Sequence, residues 1–211
     1  MSYICMLANE NGIAAAGDSR LTLAPIPVHL DHTRKVFSAP EQGLVWACCG
    51  MMVWAGINYA RWTSHIMRRP WPLERKLAAV ARRVGPMLRV CNRVLRRDTL
   101  FSLLVGVGTP GAVELVSLDL VNGKSRVRRW RAPAVSEAGW KGRLRPPRPR
   151  PGELRGKPVE ELTQIARERV RWAVERDRAL SKEKPAHRQT VGGAVRSVSL
   201  RVDRRGNPAD P

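Results

Sequence analysis

Acidic side chains are scarce in this chain: 18 aspartates and glutamates stand against 38 lysines and arginines, a formal charge of +20 over 211 residues. Aromatic residues make up only 5%, and cysteine and histidine occur four times each. Each shortage excludes something. None of Cys5, Cys48, Cys49 and Cys91 belongs to a Cys-x-x-Cys pair. With so few histidines beside them, a metal site and a disulfide framework are both disfavoured. The longest apolar runs, residues 44–49 and 103–107 among them, fall well short of the ~20 residues a membrane span needs. No basic segment followed by an apolar one opens the chain, so the sequence predicts a cytoplasmic protein without membrane association.

The positive charge raises the question of a nucleic-acid or acidic partner. Residues 68–97 hold ten basic side chains against Glu74, and residues 141–157 hold seven against Glu153. Trp46, Trp54, Trp62 and Trp71 gather around the first helical segment rather than among the arginines. That arrangement speaks against a base-stacking platform and for a solvated helix face or a subunit contact. The 145–151 stretch, RPPRPRP, reads as a polyproline-like spacer.

What is present is enough apolar residue, 43%, for one sizeable core. The sequence predicts one domain over residues 1–203, with a Pro/Arg-rich insertion at 133–158 that reads as an extended loop and a frayed tail at 204–211. Residues 3–8 and 13–17 read as strands joined by an Asn-Gly turn, which puts residues 2 and 18 at one end of a hairpin. Residues 21–33, with two prolines, read as a loop. Residues 34–37 read as a short strand and 44–49 as a buried one running into Gly50. Residues 51–67 read as a helix. From Leu73 an apolar stripe at steps of three and four (Leu77, Val80, Val84, Leu88, Cys91, Leu95) predicts a second helix. Strands follow at 99–107, 112–119 and 125–131, then a helix over 159–177 and a last strand over 191–203.

Several segments carry a resemblance. Residues 12–22, GIAAAGDSRLT, resemble the early strand motif of proteasome β-subunits and their bacterial relatives. Arg34-Lys35-Val36 is similar to the Lys-Val pair after that family's first loop. Residues 44–50 resemble the strand that leads to its oxyanion-hole glycine, and 116–123, VSLDLVNG, its later hairpin. AVERD at 173–177 is similar to the end of its last long helix, and VGGAV at 191–195 to the start of its final strand. The order is shared, and the opening Met-Ser-Tyr resembles the bacterial ancestral-β (Anbu) branch.

The resemblance implies an α/β fold, the four-layer α-β-β-α sandwich of N-terminal-nucleophile (Ntn) hydrolases. It also implies a proteasome-like peptidase or amide hydrolase in which Ser2, exposed by removal of Met1, is the nucleophile. Its α-amine, with an ordinary pKa of about 7.7–8.0, is the base. Lys35 would lie beside the Ser2 hydroxyl and amine, Asp18 would hold Lys35, the Gly50 N–H would face the oxyanion, and Asp177 would orient the amine. No metal or organic cofactor is required. The implied partners are a peptide or unfolded-protein substrate and further copies of the chain in a homo-oligomeric ring or stack, with any unfoldase unidentified.

Two departures stand out. Lys35 lies one residue later than the family spacing, which leaves Arg34 as an alternative. Position 180, where the family has serine, is leucine, with Ser181 one step off. A small-molecule amidase, a non-catalytic subunit and a basic nucleic-acid-binding protein are the competing readings.

Overall fold

The computed structural model describes residues 2–23, 28–54, 56–96, 98–109, 112–139, 146–183 and 191–202. The elements in chain order are β1 (Tyr3–Asn9), β2 (Gly12–Asp18), β3 (Leu21–Leu23), β4 (Val28–Leu30), β5 (Val36–Ala39), β6 (Leu44–Gly50), β7 (Val53–Trp54), β8 (Ile57–Asn58), α1 (Tyr59–Met67), α2 (Leu73–Leu95), β9 (Leu100–Thr109), β10 (Ala112–Val121), β11 (Lys124–Arg131), β12 (Ala134–Gly139), α3 (Val159–Glu183) and β13 (Val195–Arg201). The result is a mixed α/β fold with antiparallel sheets and, among the described residues, three α-helices. No helix of the described residues is long and apolar enough to cross a membrane.

Four strands form one sheet in the order β12-β1-β2-β13, and five form a second in the order β11-β10-β9-β6-β5. Side chains alternate across a strand, and here both faces are covered. Tyr3, Cys5 and Leu7 of β1 pack with Leu162, Ala166, Val170 and Ala173 of α3. Ile4, Met6 and Ala8 point the other way, to Val45, Ala47 and Cys49 of β6. The remaining face of β6, Leu44, Trp46 and Cys48, meets Leu77, Val80, Val84 and Leu88 of α2. A strand buried on both faces has no polar side to alternate with, which explains the unbroken apolar runs at 3–8 and 44–49. Gly106 of β9 allows close approach between the sheets. Ile13 Cγ2 lies 2.5 Å from where a Cβ on Gly106 would stand.

Three expectations require correction. Residues 51–54 and 56–58 are not helical: β7 and β8 form a two-stranded hairpin, and the helix starts only at Tyr59, where the Asn58 side chain accepts from Arg61 N at 3.0 Å. Gly56 at φ 77° turns that hairpin, in the left-handed region that glycine enters at least cost. The 21–33 stretch is not all loop, because β3 and β4 pair across it, Leu21 opposite Leu30. Its two prolines lie outside the described residues. The 133–158 insertion is not a uniform extended loop either. Its first part, AVSEAG, is strand β12 against β1. Farther on, Leu154 is fully buried, and Asn9 Nδ2 donates to Leu154 O at 2.6 Å and Lys157 O at 2.8 Å. In addition, α3 runs six residues beyond the expected 177, to Glu183. The 204–211 tail lies outside the described residues.

Candidate active site

The site begins with the β1–β2 register. Ile4 stands opposite Gly17, so the start of β1 meets the end of β2. Tyr3 N, the amide directly after Ser2, donates to Asp18 Oδ1 at 2.8 Å. The other carboxylate oxygen accepts from Gly192 N at 3.2 Å. Asp18 therefore ties the start of the first strand to the approach of the last.

Lys35 enters from the second sheet. Its carbonyl accepts from Cys48 N at 2.9 Å, which fixes it against β6 just ahead of β5. Its Nζ lies 2.7 Å from Ser2 Oγ and 2.9 Å from Asp18 Oδ1, and it also donates to Arg20 O. An ammonium has three hydrogens, and these are three acceptors. Arg34 is engaged elsewhere. Its Nε donates to Val36 O at 3.0 Å, and its guanidinium lies over the Phe37 ring. Of the two, Lys35 is the one whose side chain reaches Ser2 and Asp18.

Ser2 is buried, and Asp18 and Lys35 are each 1% exposed. Burial pulls the Lys35 ammonium below the usual lysine range, although Asp18 opposes the shift. Burial likewise pushes the Asp18 carboxyl above its usual range, against the pull of Lys35 and of the Tyr3 and Gly192 amides. A buried charge without a partner is costly, and a paired, fully hydrogen-bonded one is tolerated. The donors and acceptors around this pair meet that condition.

Asp177 is fully buried on α3. Its Oδ2 accepts from Val191 N at 2.8 Å, one residue before the amide that reaches Asp18. Asp177 thus anchors the segment that supports Asp18, a positioning contact that no sequence spacing announces. Ser181 Oγ donates to Asp177 O at 2.9 Å, a bond to the preceding turn of its own helix. Gly50 closes β6 opposite Phe101, with φ 97° and Leu100 O 2.2 Å from a would-be Cβ. No other residue type fits there without shifting backbone.

Several neighbours lie outside the set of site residues expected from the sequence. Ser19 Oγ accepts from Ala194 N at 2.8 Å and donates to Asp31 O. Arg20 forms a two-pronged pair with Asp31, at 2.7 and 2.8 Å, and its guanidinium covers Gly192. On the far side of β1, Tyr3 Oη and Arg169 Nε both donate to Glu137 Oε1 at 2.7 Å. Burial pushes the Tyr3 phenol above its ordinary value. Arg169 also donates to Pro146 O and Pro147 O, so α3 holds both β12 and the proline-rich segment.

A cleft of about 560 Å³ opens beside these residues, with Leu100, Ser102, Asp119, Arg126, Arg128 and Gly139 among its walls. Two of its lining residues touch the site's backbone. Leu100 O packs on Gly50, and Gly139 packs on the Ser2 carbonyl, opposite Tyr3 in the β12–β1 register. No known protein-family model and no curated protein matches the chain.

Proposed function

We propose that the chain is an amide hydrolase of the Ntn type, acting on peptides, with Ser2 as nucleophile once Met1 has been removed. The observation that carries this reading is the buried meeting of Ser2, Asp18 and Lys35. They come from three separate segments, with Lys35 Nζ 2.7 Å from the hydroxyl oxygen and 2.9 Å from the carboxylate. The two sheets, with α1 and α2 outside one and α3 outside the other, fit the four-layer α-β-β-α sandwich of that class.

The chemistry follows from donor counts. Lys35 donates to Ser2 Oγ and spends its other hydrogens on Asp18 and Arg20. In that state it has no lone pair with which to take the hydroxyl proton. It stabilises the oxygen as negative charge develops. The proton goes instead to the α-amine freed by loss of Met1, whose pKa of about 7.7–8.0 is lowered by the neighbouring cation. Ser2 Oγ attacks the amide carbonyl, and the Gly50 N–H is proposed to hold the oxyanion, a contact type worth about 2–4 kcal/mol. The C–N bond breaks and the leaving amine takes the proton. Water, deprotonated by the same α-amine, then hydrolyses the ester and regenerates Ser2. Asp18 fixes Lys35, and Asp177 positions Asp18 through the 191–192 backbone. As in the family it resembles, the chain is proposed to work as a homo-oligomer.

The second reading is a subunit of the same fold without activity. It is favoured by Leu180 at the family's serine position and by a Ser181 hydroxyl bonded within its own helix. The two readings part in a peptide-library digest read by mass spectrometry. Hydrolase activity predicts cleavage products with the wild-type protein and none with Ser2→Ala. Identical digests from both, or none from either, support the inactive subunit.

A further inference from the structure

The cleft beside the site is asymmetric in charge. Its outer wall is β11, the end strand of its sheet, which contributes Lys124, Arg126 and Arg128. Two acidic residues also line it, and both are engaged. Glu137 is held by Arg169 and Tyr3. Asp119 accepts from Ser102 Oγ at 2.8 Å and lies 3.9 Å from Arg128. Among the described residues neither Lys124 nor Arg126 has an ion-pair partner, and both are exposed. A second groove, of about 320 Å³, continues the same wall between β11 and β12 and adds Arg148. Cations that line a concave space without partners, beside a nucleophile, are arranged to receive an anionic group.

We propose that this cleft is the specificity site of the hydrolase and selects peptides with an aspartate or glutamate close to the scissile bond, with Arg126 and Lys124 as the discriminating residues. The proposal rests on Ser2 being the nucleophile. The carboxylate docks against β11 while the scissile carbonyl lies toward Leu100 and Gly139, the lining residues that touch Gly50 and Ser2.

The test uses the full chain, with loss of Met1 checked by intact mass, and a matched pair of peptidyl sulfonyl fluorides differing only in Glu against Gln. The rate of Ser2 labelling is the readout. The Glu probe is expected to label about tenfold faster or more, from one charge-assisted contact set against a neutral one. The preference shrinks as salt is raised and reverses in Arg126→Glu. Arg126→Gln, a milder change on an exposed strand, should lower the ratio toward one and keeps the test valid if the reversal variant does not fold. Equal labelling of Ser2 by both probes overturns the selectivity while leaving Ser2 as nucleophile. Absence of Ser2 labelling by either probe, or retention of Met1, overturns the catalytic reading and this proposal with it.

Discussion

The Ser2–Lys35–Asp18 meeting is where single residues matter most. A buried charge that loses its partner costs about 3–5 kcal/mol. Lys35→Met therefore should shift the urea midpoint strongly downward and abolish Ser2 reactivity. The double variant Asp18→Asn/Lys35→Met removes both charges and keeps an oxygen acceptor for the Tyr3 amide. It should recover most of the lost stability and none of the reactivity, which separates holding the fold from doing the chemistry. Cysteine gives a second test. All four thiols are buried, and burial pushes Cys49 up to about 12. A raised pKa favours the thiol, which is the unreactive form at pH 8. A disulfide-exchange reagent at pH 8 should titrate no cysteine in the native protein and four in denaturant. Asp18 was legible from the β1–β2 hairpin, although its two-residue turn is Glu10-Asn11, with Gly12 already paired to Asn9, and not the expected Asn-Gly. The choice between Lys35 and Arg34 was not. It depends on which side chain faces the first sheet at the start of β5, and a one-residue shift reverses that facing.

Among the elements, long periodic ones were readable and short or averaged ones were not. The α2 stripe was visible because seven apolar residues repeat at helical spacing. Residues 51–58 were misread because Val53 and Ile57, four apart, suit a helix face as well as two brief strands. Gly56 and the Asn58 cap were the signals that marked the break. At 133–158 the proline and arginine content of the later part hid the short strand at its start. That later part is held by Arg169 at the Pro146 and Pro147 carbonyls, by Glu10 at Gly156 N, and by Asn9 and Asn11 at the carbonyls of Leu154 and Lys157. Asn9→Ala removes the side-chain donor to Leu154 O and one of the two side-chain donors to Lys157 O, the other being Asn11 Nδ2. It is expected to speed tryptic cleavage after Arg155, read by mass spectrometry of a timed digest, with sites within α2 and α3 unchanged.

For the whole molecule, stability rests on two sheets packed closely enough that Gly106 has no room for a side chain. Ile13 Cγ2 occupies the space at 2.5 Å. Gly106→Val wedges the sheets and should cost about 1–3 kcal/mol in urea unfolding. The general architecture was foreseeable from runs of strand around a helical pair. How the sheets face one another was not, because the apolar runs of β1 and β6 carry no alternation to mark inner from outer.

The central claim is that Ser2 is an N-terminal nucleophile activated by Lys35. Its most direct test is the intact mass of the purified protein before and after a serine-directed electrophile, with the adduct located by peptide mapping. The prediction is a chain lacking Met1 that gains one adduct, on Ser2, and none in Ser2→Ala. Retention of Met1, or an adduct that persists in Ser2→Ala, would contradict it.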